Sequence, residues 1–251
     1  MLPKEFKPKG LFKLVRVGKD NDGGYLICKK SFLESNLLFS FGISDDFSFE
    51  KQFKDINNCK IIAFDPSSTN NFFIKKILIA LLKLDLIQFV KNINNFIKFL
   101  IFFGQKNCSL IKKEVAMKTN QHFNSISIKD IFNLANKSSK IFFKIDIEGS
   151  EYRILDDLIN FSKNISGLTI EFHDVDLNIN RILDFIKKFD LTLVHIHPNN
   201  YSNLGIDNIP TLLELSFSKD PVIIKKTLHF PHKLDQKNDK FRKDIKLIFK
   251  K

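Results

Sequence analysis

Ile141-Phe142-Phe143-Lys144-Ile145-Asp146-Ile147-Glu148-Gly149-Ser150-Glu151 reads as a strand, a turn and the start of a helix. From Ile141 to Ile147 apolar residues fall on both faces, as in a parallel strand covered on two sides. Asp146 and Glu148 close the strand, Gly149 supplies the turn, and Glu151 to Phe161 opens a helical stretch. A strand that ends in acidic groups and feeds a helix is the unit of an open α/β sheet, whose ligands bind outside the carboxyl ends of the strands.

Working outward, the same alternation recurs along the 251 residues. Strands are expected at Leu37 to Phe41, Lys60 to Phe64, Ser109 to Ala116, Gly167 to Phe172, Leu191 to Ile196 and Thr211 to Phe217, which with the central block makes seven. Helices are expected at Phe49 to Asp55, Ile128 to Ala135, Glu151 to Phe161 and Leu177 to Phe189; the last carries Ile179, Ile182, Leu183 and Ile186 as one apolar stripe. This predicts one α/β domain over 1–224, a seven-stranded, mostly parallel sheet with helices on both faces. Residues 70–104 exceed the crossover helix such a connection needs, so they form a helical insertion after the second strand. Phe72 to Phe103 is very apolar but broken by Lys75, Lys76, Lys83, Asp85, Lys91 and Lys98, short of the run of about 18 uncharged residues of a membrane span. It is expected to be a packed subdomain, a lid, a dimer face or an amphipathic element on an anionic membrane.

The chain carries 40 Lys+Arg against 28 Asp+Glu, a formal net charge of +12. Only Arg16, Arg153, Arg181 and Arg242 are arginines. Nucleic-acid interfaces favour Arg for its planar fork, so a lysine surplus argues against a nucleic-acid partner. Residues 225–251 hold ten Lys/Arg against Asp235, Asp239 and Asp244 and are expected to form a solvated basic tail. Cys28, Cys59 and Cys108 share no metal-ligand spacing and read as reduced thiols of a cytoplasmic protein. Met1 to Gly10 lacks the apolar core of a secretory signal.

Polar groups gather at the predicted strand ends: Ser40, Gly42, Ser44, Asp45 and Asp46 after the first strand, Asp65 after the second, Asp146 and Glu148 after the fourth, His173 and Asp174 after the fifth, and His197, Asn199 and Asn200 after the sixth. Asp65, 23 residues beyond Gly42, is placed to accept hydrogen bonds from ribose hydroxyls. The turn at Gly42 has no Gly-x-Gly-x-x-Gly, and acidic neighbours repel phosphate, so the expected cofactor is a nucleoside without phosphates, which S-adenosylmethionine fits. One step inside the strands, Lys144, Glu171, His195 and Glu214 should satisfy one another laterally, because buried charges persist only when paired.

Taken together, these residues resemble the FkbM-type methyltransferases. The resemblance rests on Arg16-Val-Gly-Lys-Asp-Asn-Asp22-Gly23-Gly24-Tyr25, the Ser40 to Glu50 segment, Phe64-Asp65-Pro66, Lys144-Ile-Asp146-Ile-Glu148-Gly149-Ser-Glu151, Glu171-Phe-His173-Asp, His195 to Tyr201, and Pro210 to Phe217. It implies a class I, Rossmann-like, S-adenosylmethionine-dependent methyltransferase acting on a hydroxyl of a sugar, glycan or small metabolite. Carried over, Gly42, Ser44 and the Asp22-Gly23-Gly24 turn would line the cofactor, Asp65 its ribose, and Asp146 with Glu148 the cleft between cofactor and acceptor.

An alcohol acceptor needs its proton removed, and His, with an ordinary pKa near 6.5, is a suitable base. His173 is the first choice and His197 the second, with Asp146 beside them. Asp146, Asp174, His173 and His197 also admit a shared divalent cation. A metal-dependent hydrolase using that cluster, and a non-catalytic interaction protein on the same fold, are the alternatives.

Overall fold

A computed structural model describes residues 1–250. Its seven-stranded sheet consists of β1 (Leu37–Phe41), β2 (Lys60–Phe64), β3 (Cys108–Ile111), β4 (Ile141–Ile145), β5 (Ile165–Phe172), β6 (Thr192–Pro198) and β7 (Leu213–Ser218), in the spatial order β6-β7-β5-β4-β1-β2-β3. β3, β2, β1, β4 and β5 run parallel, and β7 lies antiparallel between β5 and β6. The order reverses between β1 and β4, which opens a crevice at their carboxyl ends.

Phenylalanines fill both faces. The period of two along a strand sends Phe39, Phe41 and Phe143 into one layer, while Leu38 and Phe142 enter the other with Phe49 and Phe53. Lys144 shares the Phe142 face. It is buried there, which only pairing can sustain.

The helices are α1 (Lys29–Glu34), α2 (Ser48–Asn57), α3 (Asn70–Leu82), α4 (Leu86–Phe103), α5 (Ile128–Phe132), α6 (Leu155–Asn160) and α7 (Val175–Lys188). The insertion is the α3–α4 hairpin, in which Thr69 and Asp85 cap the two N-termini by accepting from Phe72 N and Gln88 N. Its inner face is aromatic: Phe73 stacks on Phe96 at 5.0 Å and meets Phe99 at 4.5 Å, and Phe47 from the loop after β1 meets Phe102 at 5.3 Å. Its outer face is open, with Leu82 82% and Ile87 71% exposed.

Several expectations change. The strand expected over Ser109 to Ala116 is two: β3 ends at Ile111, the chain turns with Lys113 N donating to Ile111 O, and Glu114–Ala116 pairs instead with Ser125–Ser127. The helix expected over Glu151 to Phe161 is a 3-10 turn, Glu151–Arg153, followed by α6, because Ile154 leaves helical geometry at φ −115° and ψ 0°. A hairpin of Leu14–Val17 with Tyr25–Cys28 precedes α1 and had no counterpart in the expected elements.

Residues 225–250 are not a solvated tail. The segment Ile223–Lys225 pairs with Leu11–Phe12, Leu2 bridges Phe249, and Phe230, Leu247 and Phe249 pack against the core. Asn238 is buried. The segment is a strap across the antiparallel end of the sheet, and its lysines are the outward remainder of a chain held by a few inward groups.

Candidate active site

The crevice at the ends of β1, β2 and β4 holds a cavity of about 640 Å³, within the range of small-molecule sites. Lys19, Lys113 and Lys144 line it against Asp22, Asp45, Asp46, Asp65, Glu114, Asp146 and Glu148. Three cations against seven carboxylates, in a chain of net charge +12, make the cavity selective for a cation and hostile to phosphate.

Gly42 makes the crevice possible. Its φ is +73°, and a Cβ there would lie 1.6 Å from Asp146 O, so the chain leaving β1 crosses the end of β4 at backbone contact. Asp146 N donates to Phe41 O at 3.0 Å. Lys144 Nζ donates to Gly42 O at 2.5 Å and lies 3.7 Å from Asp146 Oδ2 and 5.8 Å from the Tyr25 ring centroid. Burial opposes its charge, but Asp146, Glu50 and Glu171 outweigh that and raise its pKa.

Tyr25 Oη sits 3.1 Å from Asp146 Oδ2 and 3.3 Å from Glu171 Oε2, and Asn199 Nδ2 donates to Glu171 Oε1 at 2.9 Å. Burial, reinforced by Asp146 and Glu214, pushes Glu171 well above the ordinary carboxylate range. Glu171 and Glu214 face each other in the β5–β7 register, and Asn238 Nδ2 donates to Glu214 Oε1 at 2.8 Å. Among the described residues none of Lys144, Glu171, His195 and Glu214 pairs with another, so the expected lateral satisfaction does not occur: Lys144 pairs with Asp146, Glu171 with Tyr25 and Asn199, Glu214 with Asn238, and His195 with Asp235.

Asp65 is buried at the end of β2. Its Oδ2 accepts from Ile43 N at 2.9 Å and Ser44 N at 2.6 Å, and its Oδ1 accepts from Ser67 N at 2.7 Å, Ser67 Oγ at 2.6 Å and Ser68 N at 3.2 Å. Burial opposes its charge, but these donors prevail and lower its pKa. Asp65 thus ties the loop after β1 to the loop after β2.

His173, at the end of β5, directs Nδ1 to Glu151 Oε1 at 2.5 Å, while its Nε2 lies 3.3 Å from Glu148 Oε2. Glu151 is fully buried, which explains why the chain there departs from a helix: its carboxylate turns inward to hold the imidazole. With Nδ1 as the donor, Nε2 carries the lone pair of a base. Burial lowers the His173 pKa, but Glu151, Asp146 and Glu148 outweigh it and raise it. Ser44, Glu148 and Asp174 adopt positive φ of 51°, 52° and 48°, backbone that persists where surrounding contacts impose it.

Of the residues expected at the cofactor, Asp22, Gly23, Gly42, Ser44, Asp65, Asp146 and Glu148 line the cavity, and His173 abuts it through Glu148. Gly24 does not: a Cβ there would lie 2.1 Å from Lys19 O, so its role is close packing within the turn. His197 does not either. It is buried under the strap, its Nε2 3.1 Å from Asn238 Oδ1 and its Nδ1 3.5 Å from Asp235 Oδ1. Burial opposes its protonation, but Asp235 and Glu214 raise its pKa to about 9, so it is no base for an acceptor. The expected four-residue cation cluster is split, with Asp146 and His173 grouped with Glu148, and His197 with His195 and Asp235. Tyr25, Glu50, Glu151, Asp235 and Asn238 are additions. Tyr25, Glu50 and Glu151 lie inside blocks that carry the resemblance, whereas Asp235 and Asn238 carried no sequence signal.

Six strands of one direction, with β7 antiparallel between β5 and β6 and the cavity at the β1–β4 reversal, form the class I methyltransferase fold. Residues 104–193 match the family model described as the methyltransferase FkbM domain. The match begins directly after α4 and ends in β6. Similar solved structures include an rRNA methylase from Streptococcus thermophilus (12% identity, 75% of this chain and 92% of that one, TM-score 0.38). Others are TYW2 of M. jannaschii in complex with AdoMet (9%, 76% and 74%, 0.35) and TrmK of M. capricolum in complex with S-adenosyl-homocysteine (14%, 76% and 66%, 0.35). No curated protein matches the sequence.

Proposed function

We propose that the protein is an O-methyltransferase that moves a methyl group from S-adenosylmethionine to a hydroxyl of a sugar, glycan or small metabolite. The observation that carries this reading is an acidic cavity at the β1–β4 reversal with the His173–Glu151 pair at its rim. The bound cofactor supplies an electrophilic methyl group on a positively charged sulfur. Asp22, Asp46, Asp146 and Glu148 would hold its cationic part, and Asp65 its ribose. Asp65 already has five donors, and Ser67 Oγ is the one side-chain hydroxyl among them, so ribose hydroxyls would take its place.

His173 Nε2 takes the acceptor proton, and Glu151 keeps the imidazole oriented and stabilises the imidazolium that forms. Positioning of donor and acceptor supplies much of the remaining acceleration. The open face of α3–α4 rests, in this reading, on an anionic membrane surface: Leu82, Leu84, Leu86 and Ile87 are exposed beside Lys75, Lys83, Lys91 and Lys98, and Asp85 is the one acidic residue of the hairpin. α4 is long and apolar enough to cross a membrane by length and composition, yet it carries Lys91 and Lys98.

Labelled S-adenosylmethionine should bind the purified protein, and Asp65→Ala should abolish that binding. Mass spectrometry across sugars and sugar nucleotides should then find a product heavier by one methyl group. A stoichiometric metal with no affinity for S-adenosylmethionine would instead favour hydrolytic chemistry.

A further inference from the structure

Under the strap, away from the cavity, two histidines of β6 and one aspartate of the C-terminal segment converge. His195 Nε2 lies 2.9 Å from Asp235 Oδ1 and His197 Nδ1 lies 3.5 Å from the same oxygen. The three ligand-capable atoms all fall within 4.8 Å of one another. Both histidines are over nine-tenths buried. Among the described residues, neither His195 Nε2 nor His197 Nδ1 has a hydrogen-bond partner of acceptable geometry. Two buried nitrogens therefore converge on one carboxylate oxygen at ion-pair distance, without the alignment of a good hydrogen bond.

A second observation fixes the tautomer of His197. Asn238 Nδ2 lies 2.8 Å from Glu214 Oε1 and 3.3 Å from Asp22 Oδ1, so its amide nitrogen faces carboxylates and its oxygen must face His197 Nε2, at 3.1 Å. Nε2 then carries hydrogen, and in the neutral ring Nδ1 presents its lone pair toward Asp235. A ring nitrogen held as donor by an outer partner, with the other nitrogen free, is how metal-binding histidines are oriented. Ligands about 2.0–2.1 Å from a tetrahedral zinc stand roughly 3.3 Å apart, between the two separations to Asp235.

We propose that His195, His197 and Asp235 form a divalent transition-metal site, with zinc the ion their two-nitrogen, one-oxygen donor set fits best. The ion would replace two ion-pair contacts between β6 and the strap by three coordinate bonds to one centre. Through Asn238 and its contact to Asp22, the clamp reaches the hairpin turn that lines the cofactor cavity. Metal binding is then folding energy: the strap closes when the ion is present.

The test uses the full chain purified without a histidine tag and stripped with chelator. Equilibrated with micromolar ZnCl₂ and desalted, wild type should retain close to one zinc per chain by elemental analysis, and its Tm should rise with zinc and fall back with chelator. Co²⁺ should give the intense visible absorption of a tetrahedral site. His195→Ala and Asp235→Asn should lose the bound metal, while His173→Ala, which alters the separate Asp146–Glu148–His173 group, should keep it. Folded wild type that retains no zinc and shows no cobalt spectrum would overturn the proposal and leave the three side chains as a plain contact between β6 and the strap. Metal lost in His173→Ala but kept in His195→Ala would overturn it equally. The wild-type measurements decide even where a variant does not fold.

Discussion

Glu151 and Gly42 show how much one residue can decide here. Because the His173 pKa is raised, its neutral, proton-accepting form grows in only as pH passes above the ordinary 6.5. The acid limb of kcat should therefore lie above pH 6.5, and Glu151→Gln should move it to lower pH while reducing turnover; an unmoved limb would show that Glu151 does not act through the imidazole. His173→Ala should lower turnover by about 10²–10⁴-fold with little change in cofactor affinity. The same shift acts on stability with opposite sign. A histidine raised in the folded state stabilises fully below its unfolded pKa and loses that contribution as pH rises through the folded value, so activity grows where this contribution fades. Gly42→Ala places a Cβ against a backbone oxygen at positive φ, and should cost on the order of 3 kcal/mol, read as a lower urea midpoint.

Among the elements, the α3–α4 hairpin divides its labour by face. Its phenylalanines anchor it to the loop after β1, where Asn95 Nδ2 donates to Asp45 O at 2.8 Å and Lys76 pairs with Asp45, so the insertion touches the rim of the cavity. Phe99→Ala should destabilise by about 3–5 kcal/mol. Leu82→Ser with Ile87→Ser should leave Tm nearly unchanged but weaken sedimentation with vesicles containing anionic lipid, and raised salt should weaken it further. Absence of vesicle binding by the intact protein would dismiss the membrane role. The length of residues 70–104 made a helical insertion legible, but not which face the fold would leave open, because apolar residues occur all round both helices.

For the whole molecule, the strap holds the antiparallel end of the sheet. Truncation after Lys225 removes Asn238 from Glu214 and Asp235 from His195 and His197. Buried polar groups left without partners cost about 1–3 kcal/mol each, so the truncated chain should melt well below the full chain, where a solvated tail would leave Tm unchanged. Net charge could not reveal this: ten basic residues advertise solvent exposure, while the contacts that order the segment come from Asp235 and Asn238 and from Phe230, Leu247 and Phe249, scattered residues with no pattern around them.

What the sequence by itself determined was the α/β alternation, the seven strands of the sheet, the insertion, and the carboxylates at the ends of β1, β2 and β4. Hydrophobic period and strand-end polarity are local properties, and burial on both sheet faces enforces them wherever the chain goes. Only the tertiary structure decided that Asp65 spends its carboxylate on the chain itself, that Glu151 holds His173, that His197 leaves the cavity for the strap, and that Tyr25 and Asn238 complete the buried network. Apart from the Ser67 and Ser68 donors beside Asp65, these depend on groups more than 20 residues apart meeting in three dimensions, and a buried charge accepts whichever partner the packing brings within reach.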